Sequence, residues 1–165
     1  MSFNHREEHL DEGMLLMQAN LDDMNPEWTS YVTDLLLEEG ANDVYWIPIV
    51  MKKGRPGLML NILTDEARLN TMETIVFRET TTLGVRYMPA VCHRLGREMV
   101  PVETSWGTLT VKAGYHKGKL VQYAPEFREC EEVAKRHGVP LKAVYDEVRS
   151  KFLQMQEQEG MGREG

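Results

Sequence analysis

Val44-Tyr45-Trp46-Ile47-Pro48-Ile49-Val50-Met51, Lys52-Lys53-Gly54-Arg55-Pro56-Gly57 and Leu58-Met59-Leu60-Asn61-Ile62-Leu63 follow one another without a break. The outer blocks are β-branched, aromatic or long and apolar, and the inner block is glycine, proline and charge. The stretch therefore reads strand, turn, strand. Pro48 has no backbone N–H to give a ladder, which points its strand to a sheet edge or a bulge. A lone hairpin is marginal in water and needs helices or further strands to cover it.

The flanks supply them. Upstream, Met14-Leu15-Leu16-Met17-Gln18-Ala19-Asn20 reads as a first strand. Asn25-Pro26-Glu27 then starts a helix: Asn caps, Pro suits the first helical position, and Glu favours the positive end of the helix dipole. Trp28, Tyr31, Val32, Leu35 and Leu36 follow at amphipathic spacing, and Gly40 stops the helix. Downstream, Thr64-Asp65 opens a second helix carrying Leu69, Met72, Ile75 and Val76 on one face, and Gly84-Val85-Arg86-Tyr87 begins a fourth strand. The order is β-α-β-β-α-β, the ferredoxin-like pattern of an α+β protein.

The rest predicts a smaller unit. Glu98–Thr104 and Leu109–Ala113 read as a hairpin about Ser105-Trp106-Gly107, with Leu120–Tyr123 a further strand. A helix runs from Pro125 to about Gly138 with Phe127, Val133 and Ala134 inward, and another starts at Pro140. The expected division is a flexible arm over 1–13, a ferredoxin-like nucleotide-binding subdomain over 14–90, a β-hairpin plus two-helix subdomain over 91–155, and a flexible tail over 156–165.

Composition narrows the function. The 165 residues carry 19 basic and 26 acidic side chains, a net charge of −7. That balance argues against general binding to nucleic acid or an anionic membrane. No apolar run reaches the ~18 residues of a membrane span, and the first residues lack the pattern of a signal peptide. With Cys92 and Cys130 as the only cysteines, reduced thiols in the cytoplasm are the expectation. His93, His116 and His137 show no metal-ligand spacing and read as surface or boundary residues.

The topology adds what no single motif gives. In a βαββαβ fold, the end of strand one, the hairpin between strands two and three, and the turn before strand four all lie at the same end. Three segments should therefore meet: Asn20-Leu21-Asp22-Asp23-Met24-Asn25, Lys52-Lys53-Gly54-Arg55-Pro56-Gly57, and Arg78-Glu79-Thr80-Thr81-Thr82-Leu83-Gly84-Val85-Arg86. Their inventory suits a polyphosphate. Arg55, Arg78 and Arg86 offer planar forks, Lys52 and Lys53 offer point charge, and Gly54 lets backbone approach. Thr80, Thr81 and Thr82 add hydroxyls. Asp22 or Asp23 suits a hard divalent cation that bridges phosphates.

Each residue also has a plain structural reading. Asp22 and Asn25 shape a turn and cap a helix, and Lys52–Gly57 is a solvated hairpin. Arg78 and Glu79 form a surface pair, and Thr80–Thr82 satisfies carbonyls at a helix end.

The blocks Asn20–Glu27, Met51–Gly57 and Phe77–Arg86, with Pro125-Glu126-Phe127 and Gly138-Val139-Pro140-Leu141, resemble the LarC family over residues 14–150. The resemblance implies a CTP-dependent cyclometallase of nickel-pincer nucleotide synthesis. It would insert Ni²⁺ into pyridinium-3,5-bisthiocarboxylic acid mononucleotide while CTP becomes CMP and pyrophosphate. It further implies that this chain is the C-terminal, CTP–metal part, working with Mg²⁺ or Mn²⁺ and assembling as homo-trimers that pair into hexamers. A histidine-rich N-terminal nickel-binding part would be its partner, and the nickel-free pincer mononucleotide the substrate. Under this reading Lys52, Lys53, Gly54, Arg55, Arg78, Thr80, Thr81, Thr82 and Arg86 hold the nucleotide, Lys53 and Arg86 stabilise charge at the reacting phosphate, and Asp22 and Asp23 hold the metal. A non-catalytic PII-like nucleotide sensor and an oligomeric scaffold are the competing classes.

Overall fold

The computed structural model describes residues 7–161 and divides into two compact units, residues 10–92 and residues 93–161, the latter joined by residues 7–9.

The first unit carries β1 (His9–Leu21), α1 (Trp28–Glu38), β2 (Asp43–Met51), β3 (Arg55–Asp65), α2 (Leu69–Glu79) and β4 (Arg86–Arg94). Its sheet is ordered β2-β3-β1-β4, the ferredoxin-like arrangement of an α+β fold. β3 runs antiparallel to both neighbours, with Leu21 opposite Leu58 and Met51 opposite Arg55. Alternation places Met17, Ala19 and Leu21 of β1 and Leu60 and Ile62 of β3 in the core, against Val32 and Leu36 of α1 and Met72, Ile75 and Val76 of α2. Full burial of such side chains contributes about 1.5–3 kcal/mol each, the force that seats both helices on the sheet.

Local chemistry sets the helix ends. Asn25 Oδ1 accepts from the Glu27 N–H at 3.0 Å. At the other end Gly40 (φ +95°) gives its N–H to Leu37 O while Ala41 gives its own to Leu36 O, a Schellman closure. Trp46 Nε1 donates to Thr33 Oγ1 at 2.9 Å, tying β2 to α1. Pro48 sits on β2, an edge strand.

The predicted stripe on α1 is wider than the face the sheet covers. Val32 and Leu36 are buried and Leu35 packs beside them, whereas Trp28 and Tyr31 are exposed. β1 begins at His9, so residues 9–13, expected in the arm, are strand. Pairing of the same backbone run extends it past the apolar stretch that marks it in sequence.

The second unit is a meander, β5 (Gly96–Thr104), β6 (Gly107–His116) and β7 (Lys119–Pro125), followed by α3 (Phe127–His137) and α4 (Leu141–Met161). Gly96 faces Tyr115, and Val111 faces Pro125. Val102, Leu109, Val111 and Ala113 bury one sheet face against Cys130, Val133, Val144, Val148 and Phe152. Phe127, expected inward, is exposed, and Cys130 takes its place in the core one turn on. α4 continues beyond residue 155 into the expected tail. The expected arm over 1–6 and tail over 162–165 lie outside the described residues. Among the described residues no helix is long and apolar enough to cross a membrane.

Candidate functional site

Two contacts join three distant segments of the first unit at one rim. Arg55 Nη1 lies 3.3 Å from Asp22 Oδ2, and Thr81 Oγ1 donates to Asp23 Oδ1 at 2.5 Å. The loop after β1, the β2–β3 hairpin and the turn after α2 are thereby adjacent. Asp22 is half-buried, whereas Asp23, Lys52, Lys53, Gly54 and Arg55 are exposed.

The hairpin's shape explains its composition. Only three residues separate Met51 from Arg55, and Lys53 (φ 61°) and Gly54 (φ 70°) are both left-handed. For Lys53 that conformation costs about 1–2 kcal/mol. It lifts two lysines and an arginine onto one tip. Gly57 answers a different demand: a Cβ there would lie 2.6 Å from the Leu21 carbonyl oxygen, so only glycine lets the hairpin base press against β1.

Arg86 stands at the start of β4 and reaches β1 instead of the hairpin. Its Nε donates to Gln18 Oε1 at 3.0 Å and its Nη2 to Asn20 Oδ1 at 3.1 Å. Gln18 Nε2 donates in turn to Asn61 Oδ1 at 2.7 Å, and the Asn61 amide nitrogen to Met59 O at 3.1 Å. Asn61 is fully buried. This chain fixes the guanidinium beside Asn20, the first residue of the rim. Sequence reading did not single out Gln18, Asn20 and Asn61 as a network. The signal was present: Gln18 and Asn20 alternate with core residues Met17, Ala19 and Leu21, so both share the opposite face.

Other expected residues have different company. Arg78 is not brought to the rim; its Nε donates to Glu79 Oε1 at 2.6 Å, and it lines a groove with Leu35, Glu39 and Thr74 between α1 and α2. Glu79 holds Arg78 above the ordinary guanidinium pKa, through the hydrogen bond first and its charge second. The Thr80 hydroxyl donates to Val76 O at 2.6 Å and closes α2. The Thr82 hydroxyl donates to Gly84 O at 2.8 Å and shapes the turn. Among the described residues, Thr81 is the one of the three threonines that reaches across to another segment of the rim.

Metal binding by Asp22 and Asp23 has a limited donor set. Among the described residues no three His, Cys, Asp or Glu side chains gather as a complete metal cage. Two carboxylates beside a hydroxyl do fit a cation of the Mg²⁺ type, which takes one or two protein carboxylates and completes its shell with phosphate and water.

The chain is an α+β protein whose ferredoxin-like sheet carries, at one rim, carboxylates and cations side by side. Comparison with known proteins makes the assignment specific. The family described as Nickel insertion protein matches residues 1–145, and the chain belongs to that family. A pyridinium-3,5-bisthiocarboxylic acid mononucleotide nickel insertion protein of Clostridium acetobutylicum is 42% identical over 142 residues, covering 86% of this chain and 34% of that protein. The protein of the same description from Acetivibrio thermocellus is 41% identical over 150 residues, 91% of this chain and 37% of its own length. The chain thus spans about a third of the length of these relatives. The solved apo structure of LarC2, the C-terminal domain of a cyclometallase involved in the synthesis of the NPN cofactor of lactate racemase, superposes with a TM-score of 0.81 at 32% identity. That match covers 87% of this chain and 99% of the other. Protein MK0293 of Methanopyrus kandleri, at 24% identity and a TM-score of 0.63, shares the fold.

Proposed function

We propose that this chain supplies the CTP- and metal-binding part of a nickel insertase acting on pyridinium-3,5-bisthiocarboxylic acid mononucleotide. The observation that carries the reading is the pair of contacts Asp22–Arg55 and Asp23–Thr81, which set carboxylates and cations side by side at one rim. Family membership and the likeness to the cyclometallase domain support the choice of reaction.

The division of labour follows from placement. Lys52, Lys53 and Arg55, with the backbone at Gly54, grip the triphosphate from the hairpin tip. Thr81 adds a hydroxyl donor. Arg86, already oriented by Gln18 and Asn20, gives directed positive charge as water adds to the α-phosphorus and the α,β-phosphoanhydride bond breaks, leaving CMP and pyrophosphate. A preset guanidinium loses little freedom in doing so. Asp22 and Asp23 would hold Mg²⁺ or Mn²⁺, which supplies charge neutralisation at the phosphates. Arg78 stays with Glu79 outside this set. Ni²⁺ is substrate, delivered by a nickel-binding part of the kind the longer relatives have room for. The compartment that suits two free thiols is the cytoplasm. Exposed Tyr45, Ile47 and Val50 on edge strand β2 and Tyr87, Met88 and Val91 on edge strand β4 support assembly into homo-trimers or hexamers.

The test is calorimetric titration of CTP, with and without Mg²⁺, into the intact chain and its Lys53→Ala and Arg86→Ala variants. Each variant should bind about tenfold more weakly. Equal affinity in all three proteins removes the assignment. Pyrophosphate release from CTP, measured with the nickel-binding part present, separates an enzyme from a nucleotide sensor or a scaffold.

A further inference from the structure

The helix-free face of the second unit carries a cleft of about 470 Å³, within the range of small-ligand sites. Its lining includes Arg94, Arg97, Lys112 and His93, and no carboxylate. In a chain of net charge −7, that is a marked local excess of positive charge. The pleat explains the arrangement. Arg97, Gly114 and Gln122 stand in one row across β5, β6 and β7, and Lys112 stands in the next. Gly114 makes the floor: a Cβ there would sit 3.1 Å from Gln122 Cγ, inside the space between the cations. Arg97 is exposed and has no side-chain partner among the described residues. Among the described residues, Lys112 is engaged only by Glu126, at a loose 3.7 Å, and His93 pairs with Glu8 at 2.6 Å.

We infer that this cleft is a second anion site, taking a mononucleotide whose phosphate and carboxylate groups meet Arg97 and Lys112. The site rests on the function proposed above and deepens it, because it places the acceptor of the metal on residues none of which belong to the rim. Two permanent cations, Arg97 and Lys112, match a ligand with one phosphate and one carboxylate, and Arg97 offers a forked, bidentate donor. The amide of Gln122 supplies neutral hydrogen bonding beside them.

The experiment titrates the intact chain with nicotinic acid mononucleotide, a pyridinium carboxylate that carries one phosphate, and with inorganic phosphate as a control. Arg97→Ala and Lys112→Ala should each weaken mononucleotide binding about tenfold, consistent with loss of one charge-assisted hydrogen bond. Both should leave CTP titration unchanged. Gly114→Leu, which fills the floor, should abolish the binding; if it fails to fold, Arg97→Ala and Lys112→Ala decide the question alone. No mononucleotide binding, binding indifferent to both variants, or binding lost on Lys53→Ala instead would each overturn the site. Cleft-dependent binding in a chain that ignores CTP would sink the rim assignment and leave this one standing.

Discussion

Arg55 Nη1 meets Asp22 Oδ2 at 3.3 Å, across 33 positions of sequence. The arginine side chain is 59% exposed and the aspartate 18%, so the pair is screened and contributes well under ~1 kcal/mol to stability. Its consequence lies in binding. Asp22→Asn should leave the unfolding midpoint almost unmoved while the Mg²⁺-dependent gain in CTP affinity falls about tenfold. Denaturant titration and calorimetry read the two effects separately, and a stability loss with unaltered CTP affinity would make the pair purely structural.

Gly57 bears on the same rim through the backbone. With a Cβ 2.6 Å from Leu21 O, Gly57→Ala must push the hairpin base away from β1, because a carbonyl cannot swing aside. Overpacking of this kind costs about 1–3 kcal/mol. A lower urea midpoint together with weaker CTP binding is expected, and unchanged values for both would show that the strands slide freely.

How far the sequence reached depends on which forces were local. Asn25-Pro26-Glu27 and Gly40 mark α1 through capping, and the alternation of β1 and β3 marks their inner faces, so the βαββαβ order was readable. The meeting of Asp22, Arg55 and Thr81 followed from topology and needed no motif. Side-chain direction did not follow. Arg78 lies one residue from Glu79, and the helix turns it into the α1–α2 groove. Thr80 and Thr82 satisfy nearby carbonyls, which compete with any ligand for the same hydroxyls. Glu8 belonged to a stretch expected to be an arm, yet its carboxylate is shared by His93 and His116, two histidines without ligand spacing. Such tertiary pairings leave no periodic trace.

Glu8 gives a pH dependence. Its carboxylate accepts the Lys117 N–H at 2.9 Å and contacts His116 Nδ1 at 3.0 Å. The backbone hydrogen bond from Lys117 is the chief reason its pKa falls below the ordinary glutamate value, opposed by desolvation and helped by the histidines. A depressed carboxylate stabilises fully above its unfolded value and loses that contribution as pH falls through the lower folded value. Protection of the Lys117 amide from hydrogen exchange, measured against the intrinsic rate at each pH, should therefore hold at neutral pH and fall under acid below that range. Glu8→Ala should show the reduced protection already at neutral pH. Equal protection in both proteins would dissociate Glu8 from that turn.

The two thiols should differ. Cys130 is fully buried between β6 and α4, and desolvation, reinforced by Glu129 and Glu126, raises its pKa. Cys92 is half-exposed on β4. An aromatic disulfide reagent should modify Cys92 in the native chain and reach Cys130 only after unfolding. Equal native rates would mean that the second core opens readily.

Lys53 separates stability from function most sharply. It holds φ 61° and ψ 20°, a left-handed conformation that costs a side-chain-bearing residue about 1–2 kcal/mol, and it has no ion pair or hydrogen bond of its own among the described residues to offset this. Glycine takes the same backbone freely but loses more entropy on folding, roughly 0.5–1 kcal/mol. Lys53→Gly should thus raise stability slightly, by up to ~1 kcal/mol. It should also remove a cation from the hairpin tip and weaken CTP binding about tenfold. Opposite signs in the urea midpoint and the calorimetric affinity are the expected signature of a residue kept for its charge against its conformational preference. A variant that gained stability and bound CTP as before would show that the strained lysine serves the turn alone, and would take the hairpin tip out of the phosphate site.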